Sequence, residues 1–429
     1  MDTTFQRIAL FVLLLMATGG GVGIYLGQES TSLSSYASTS GNLIIQFAFS
    51  VLYLFFLRLL VLRYKGALLL IRREIWIIAL CLFALMSTAW SLDPGMTLRR
   101  GLALLGTTLV GAYMGLRMEI KQQLRFAAGC IGVTAIASLL VCIAIPSLGI
   151  AAAGEWQGVF EVKNVLGRMM ALGVLCFAVL AIGNRRHRGS CVAMMGLCFS
   201  LLLLSRSATA VVVCLAILCL LPFRKVLNLS PRSLIPILMV WLIVAVPVTI
   251  WVQEHSDAVF DALGRTSSLT GRLPLWHYVK EQILERPVLG YGYSSFWTSA
   301  EGDRIRDLIG WEAPHAHNGF LETALGLGFI GAALLIVGIW KNLALGFATA
   351  RTGTEIEDFW PLLYLIFTIL SNLTESSLLA ANSFLWMLYV ANAFWLTRTS
   401  LCAQEQHEDE PQFASSEARD FLDYEPMRS

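Results

Sequence analysis

Apolar runs of membrane-crossing length follow one another along most of this chain. They fall near residues 8–26, 43–62, 75–89, 102–116, 126–145, 165–182, 191–204, 208–223, 234–251, 320–340, 359–378 and 383–396. A helix needs about 20 apolar residues to cross a hydrocarbon core of about 30 Å. In lipid, backbone polar groups must be satisfied within the segment. The pattern therefore predicts an all-α polytopic integral membrane protein with about twelve transmembrane helices. Residues 253–318 are the only long polar excursion and predict one large external loop. Within it, Leu275, Trp276, Val279, Ile283 and Leu284 recur at helical spacing, which predicts an amphipathic helix on or against the outer membrane surface. Pro287 should end that helix, and Gly290-Tyr291-Gly292 should make a tight turn. A single transmembrane unit is thus expected over 1–400. The tail at 401–429 is rich in acids, Gln and Ser without apolar periodicity, and is expected to be disordered.

Composition agrees with the pattern. With 56% hydrophobic and 14% charged residues, the chain lies far from the soluble-globular norm. Basic residues alternate between loops: Arg7; Arg63, Lys65, Arg72 and Arg73; Arg117, Lys121 and Arg125; then Arg185, Arg186 and Arg188; Arg224, Lys225 and Arg232; Lys341 and Arg351; and Arg398. By the positive-inside rule those ends are cytoplasmic, with both termini inside and the long loop outside. No basic patch is interleaved with aromatics, which argues against nucleic acid as a partner. Every cysteine except Cys402 falls in an apolar run and none in the long loop, so neither a disulfide framework nor a thiolate metal site is expected there.

Chemistry concentrates where the loop meets the next apolar run. His317-Asn318 is followed after nine residues by Gly328, and after two more by Gly331. Asn318 is a good N-cap for the helix that follows, leaving His317 just outside it at the membrane surface. An imidazole there can take a proton from a substrate, although a hydrogen-bonded loop histidine beside a routine cap fits the residues equally well. Gly328 and Gly331, with Ala324, would let another helix pack closely. His315 and His317, with Glu312 and Asp303 nearby, hint at a metal site. That spacing offers no third fixed ligand, and no metal is expected. Outward-facing cations are Arg99, Arg100, Lys163, Arg206, Arg265 and Arg272. Arg206, in Ser205-Arg206-Ser207 between two apolar runs, should be paired or bind an anion. Its guanidinium suits phosphate, while snorkelling or pairing with Glu155, Glu161 or Glu375 are the plainer alternatives. Lys163-Asn164 leads into another span, with Asn164 a possible second helix cap, and Arg168 lies one turn below it.

In order along the chain, Trp90-Ser91, Gly158-Val159-Phe160 with Lys163-Asn164, Ser205-Arg206-Ser207, Gly271-Arg272 with Trp276, Pro287-Val288-Leu289-Gly290-Tyr291-Gly292 and His317-Asn318 resemble the bacterial O-antigen ligase and exopolysaccharide polymerase superfamily. The resemblance runs from about Trp90 to Gly331. It implies a C-type glycosyltransferase-like membrane fold in the bacterial inner membrane, with the long loop and active site periplasmic. It also implies an undecaprenyl-pyrophosphate-linked oligosaccharide donor, a glycan or lipid A core acceptor, and catalysis without metal or cofactor. Carried onto this sequence, His317 resembles the base that activates the acceptor hydroxyl, and Arg272 and Arg206 the pair that holds pyrophosphate. Lys163, Asn164, Asn318, Arg265, Arg99, Arg100, Gly290 and Gly292 follow as binding or shaping residues. Chain-length regulators or export proteins are further partners that the resemblance leaves open. Polymerase is favoured over ligase. A lipid-oligosaccharide transporter is the reading from another class, but no internal repeat is visible and, apart from Arg58 and Arg168, the charges cluster near helix ends.

Overall fold

The computed structural model describes residues 3–20, 43–62, 64–224 and 272–408. Among them the protein is helical throughout, with no strand and one isolated bridge between Ile150 and Trp156. The helices are α1 (Thr3–Ala17), α2 (Leu43–Val61), α3 (Tyr64–Arg73), α4 (Ile75–Met86), α5 (Pro94–Arg117), α6 (Ile120–Ala144), α7 (Lys163–Gly183), α8 (Arg188–Leu204), α9 (Ala208–Leu218), α10 (Arg272–Glu285), α11 (Ala300–Ile309), α12 (Gly319–Thr352), α13 (Trp360–Asn372) and α14 (Phe384–Glu408). Four of them, α2, α6, α7 and α12, are long and apolar enough to cross a membrane. Shorter apolar helices occupy Thr4–Ala17, Ile75–Ala89, Arg188–Leu204 and Ala208–Phe223. Large apolar side chains such as Leu43, Phe47, Leu140 and Trp340 are exposed on the outer surface. In water that would be costly, whereas facing lipid it is expected of a membrane protein. The expected span at 234–251, Arg265, Gly271 and the 409–429 part of the tail lie outside the described residues.

Two apolar cores organise the bundle. In the larger one α5 packs along α14 and α7 along α8, with α6 and α9 against α7. The smaller one gathers Leu275, Val279 and Ile283 of α10 with Tyr291, Phe296, Trp297, Ile305, Ala316 and Leu325. The loop helix therefore buries its apolar stripe on protein, against the loop's own aromatics and the start of α12, and only Leu273 and Leu284 remain as exposed large apolar residues on it. At the end of α12 remote from Asn318, buried Glu74 pairs with Lys341 at 2.6 Å and accepts from Thr397, tying α4, α12 and α14 together.

The tight turn at 287–292 has a structural task. α12 is broken at Gly328, whose backbone (φ 63°, ψ −167°) lies in a region open essentially to glycine. At the break, Tyr291 N–H donates to Leu325 O (3.0 Å), Gly292 N–H to Gly326 O (2.9 Å), and Phe329 N–H to Pro287 O (2.7 Å). The expectation of a second helix packing on Gly328 is thus corrected, since the turn itself seals the interrupted helix. Gly290 and Gly292, expected to shape the substrate site, are buried in this seam; a Cβ on Gly290 would lie 2.6 Å from Gly328 N.

Candidate functional site around Glu375

The site forms where the beginnings of α7, α10 and α12 meet the link after α13. Asn318 caps α12 as its sequence predicts, its Oδ1 accepting from Phe320 N–H (3.0 Å) and Leu321 N–H (3.1 Å). The same residue ties that helix start to the 373–377 segment: its N–H donates to Ser376 Oγ (3.1 Å) and its Nδ2 to Leu373 O (3.1 Å). Gly319 N–H donates to Glu375 O at 3.0 Å. Buried Asn372 shapes the segment from below, its Oδ1 accepting from the N–H groups of Ser377 (2.7 Å) and Leu378 (3.0 Å). His317 and Glu375 are thereby held by one continuous network.

The peptide before His317 is clamped on both sides. Ala316 N–H donates to Glu322 Oε2 (2.7 Å), Ala316 O accepts from Trp276 Nε1 (2.9 Å), and Trp297 Nε1 donates to Glu322 in turn. His317 N–H donates to His315 Nδ1 at 3.0 Å, which leaves that nitrogen unprotonated. His315 agrees with this from another direction. Burial, then the charges of His317, Arg168 and Arg272, push its imidazole well below its ordinary range against the opposing pull of Glu375. The clamped His317 sits at φ +47°, and Arg206, in another loop, at φ +51°, left-handed conformations costing about 1–2 kcal/mol for a residue with a Cβ. Such strain tends to gather at functional sites.

Glu375 is the centre of the charges. Only 13% of its side chain is exposed; Arg272 Nη2 donates to its Oε1 at 2.9 Å, and Asn164 Nδ2 donates to the same oxygen at 3.2 Å. Its Oε2 lies 3.6 Å from His317 Nδ1, at the edge of hydrogen-bond reach. Both ring nitrogens of His317 are buried and neither makes a hydrogen bond among the described residues. Burial by itself would raise the Glu375 carboxyl, but His317 and the charges of Arg168 and Arg272 outweigh it and hold the group well below the usual carboxylate range. A depressed carboxyl contributes stability that is fully present above its unfolded value of about 4.3 and lost only as pH falls toward the folded value. The melting-temperature gap between wild type and Glu375→Gln is therefore expected to persist from about pH 8 to about pH 5 and to shrink below about pH 4. A gap that vanishes near neutral pH would contradict this electrostatic picture.

The predicted residues divide clearly. His317, Arg272, Asn164 and Asn318 come together around Glu375. Asn164 does so from inside the first turn of α7, since the helix is capped by Val162, so the expected second asparagine cap is corrected to a hydrogen-bond donor on Glu375. Lys163 pairs instead with Glu155 at 2.5 Å. Arg206 is exposed, with Nη1 3.4 Å from Ala153 O, on the side of the 150–162 loop. Arg99 and Arg100 lie in the first turns of α5; Arg99 Nη2 approaches Met96 Sδ at 3.1 Å, and the Arg100 charge is felt at Glu322. Asp303 and Glu312, weighed as metal ligands, both pair with Arg306. His315, His317 and Glu375 do form a cluster of metal-ligating type. Two guanidiniums already act on that carboxylate and a His315 nitrogen is engaged, so the electrostatics favour an anion over a cation.

Glu375 was weighed in the sequence only as a counter-ion for Arg206, and nothing there joined it to His317. The available signal was a lone acid between the apolar runs that became α13 and α14.

Comparison with known proteins agrees with the motif order. The O-antigen ligase family profile matches residues 191–336, which covers α8, α9 and the chain up to the broken part of α12. The exopolysaccharide production protein ExoQ of Rhizobium meliloti is 30% identical over 276 residues, 61% of this chain and 62% of its own length. A protein of Rickettsia conorii described as a "putative polysaccharide ligase" is 36% identical over 95 residues, 21% of this chain and 23% of its own. A protein of Rickettsia prowazekii with the same description is 36% identical over 86 residues, 19% of this chain and 21% of its own. The chain thus spans less than two thirds of the length of these relatives. Over residues 191–336 the chain is similar to the O-antigen ligase family, and over a longer stretch to ExoQ.

Proposed function

We propose that this protein polymerises undecaprenyl-pyrophosphate-linked oligosaccharide repeat units into surface or exopolysaccharide at the periplasmic face of the bacterial inner membrane. In this reading it crosses the membrane about twelve times in a C-type glycosyltransferase-like fold, with both termini cytoplasmic. The observation that carries the reading is His317: its ring nitrogens are buried and free of hydrogen bonds, and Glu375, itself held by Arg272, lies beside it.

The chemistry follows from those positions. The hydroxyl oxygen of one lipid-linked glycan attacks the anomeric carbon of another, and its proton passes to His317. The bond from that carbon to the phosphate oxygen breaks, and the lipid pyrophosphate leaves with the electron pair. Pyrophosphate is a good leaving group, so the protein must supply chiefly orientation, a base and charge stabilisation. Arg272 and Arg206 are assigned the stabilisation. Glu375, close to Nδ1, orients the ring and favours the imidazolium that forms. Direct attack inverts the anomeric centre. No step calls for a metal ion.

The ligase reading, with lipid A core as acceptor, is favoured by the O-antigen ligase profile, and the polymerase reading by the longer match to ExoQ. Purified protein given a lipid-pyrophosphate oligosaccharide, with EDTA and with or without lipid A core, separates them. A ladder of lengthening glycans without core, with inverted linkages by NMR, is the expected result. Single transfer that needs the core would make the protein a ligase. No transfer to either acceptor, or transfer abolished by EDTA and restored by a divalent metal, would overturn the mechanism.

A further inference from the structure

Beside Glu375, between α7, α9 and α13, lies a small cleft open on one side. Its polar lining includes Asn164, Arg168, Ser207, Thr209, Thr374 and Glu375. Arg168 is the unexplained member. Its Nε and Nη1 are buried and make no hydrogen bond among the described residues. Leaving buried donors unsatisfied is costly, most of all for a charged group. Arg168 is not spent on Glu375 either, because Oε1 of that carboxylate already takes Arg272 and Asn164, while Oε2 lies beside His317. One carboxylate therefore faces two guanidiniums, and the cleft carries surplus positive charge next to hydroxyls and a carboxamide.

From this geometry we propose that the cleft is a phosphate subsite in which Arg168 is the principal ligand, supported by Ser207 and Thr209 and bounded by Arg272. A guanidinium keeps its charge and offers phosphate several N–H donors, and Nε and Nη1 of Arg168, on two different edges of the group, both lack a partner among the described residues. The neighbouring chain is built for close approach at this point. Gly167 lets the Ser205–Ser207 loop sit on α7, where a Cβ would come within 2.7 Å of Ser207 Cβ. That contact brings the Ser207 hydroxyl to the cleft beside Arg168, while Arg206, in the same loop, stays at the exposed rim. Resting on the proposed glycan transfer, the subsite would take one phosphate of the lipid pyrophosphate inside the protein and leave Arg206 for the outer phosphate. The Glu375–Arg272 pair would separate it from His317, so the proton-accepting and phosphate-holding groups share one charged hinge. A phosphate from a free anion would satisfy the same donors.

The test measures binding of farnesyl pyrophosphate and of inorganic pyrophosphate to full-length protein in nanodiscs, for wild type, Arg168→Gln and Arg168→Lys. Melting of each unliganded protein checks the fold. Arg168→Gln is expected to bind farnesyl pyrophosphate at least about tenfold more weakly, the size of one lost charged hydrogen bond. Arg168→Lys keeps a point charge without the fork and should fall between the two, which keeps the proposal testable if Arg168→Gln does not fold. Farnesyl pyrophosphate binding more tightly than the inorganic anion assigns the subsite to a lipid donor; equal affinity assigns it to a free anion. Wild-type affinity in both variants overturns the subsite and leaves the transferase reading standing. A wild-type protein that binds neither ligand overturns the subsite and the lipid-pyrophosphate donor together.

Discussion

His317→Ala is expected to slow glycan transfer by about 10²–10⁴-fold, the usual contribution of a positioned general base, while leaving the protein folded. Folding should survive because the imidazole makes no hydrogen bond that the structure depends on. The contacts fixing this corner belong to its neighbours: Ala316 between Glu322 and Trp276, Asn318 on Leu373 and Ser376, and Gly319 on the Glu375 carbonyl. The bond from His317 N–H to His315 is a backbone bond and remains available to alanine. What disappears is the ring nitrogen that accepts the proton, along with ring contacts to Trp311 and His315. Melting temperature and transfer rate, measured on the same preparation, separate the two effects. Undiminished transfer would remove His317 from the chemistry and favour the transporter reading, because a transporter has no need of a base here.

Gly328→Ala should have the largest structural effect. At φ 63° and ψ −167° an alanine is strained before any contact is counted, at about 1–3 kcal/mol. Its Cβ would also fall 2.2 Å from Val288 O, a backbone atom that cannot step aside. Relief requires the 287–292 turn to leave the break, breaking the three hydrogen bonds that seal it and unpacking Tyr291 from the smaller core. Little well-behaved protein should be recovered, and whatever folds should melt well below wild type and transfer poorly. Gly346→Ala is the control. That glycine lies in regular helix and its added Cβ would meet Leu362 at an ordinary 3.5 Å, so helix propensity should make it neutral or mildly stabilising. If Gly328→Ala melts like wild type, the seam at 287–292 does not hold the helix as described.

Much of the fold was legible because apolar length is a strong signal. The runs at 43–62 and 165–182 match α2 and α7 to within two residues at either end. Where boundaries slipped, polar residues had been drawn into helices by partners that no local pattern reveals. α5 begins eight residues before the expected 102, on an Asp93 cap whose Oδ1 accepts from Met96 N–H; its early turns carry Arg99 and Arg100 and look like loop in a hydropathy profile. α12 runs on past 340 through Lys341, which pairs with Glu74, and Asn342, whose Nδ2 donates to Tyr389. α11 was missed although Ser299 and Gly310 mark its ends, the first as a side-chain cap and the second in the left-handed conformation. Its amphipathic stretch is short and lies inside a segment that reads as uniformly polar.

The site was half legible. The helix cap at Asn318 follows from local rules and is observed, with His317 just outside the helix. Glu375 and Arg168 were not recoverable in the same way, because their roles depend on α7 and α13 lying side by side some two hundred residues apart in sequence. The sequence instead favoured Arg206, whose setting between two apolar runs drew notice. In the fold it stands at the rim near Ala153.

The most direct test of the central claim is a structure of the protein with a non-hydrolysable lipid-pyrophosphate oligosaccharide bound. The account predicts the pyrophosphate against Arg272 and Arg168, with the anomeric carbon placed so that an acceptor hydroxyl could reach both it and His317 Nε2. Pyrophosphate density away from these residues, such as beside Glu74 and Lys341 at the far end of the bundle, would contradict it.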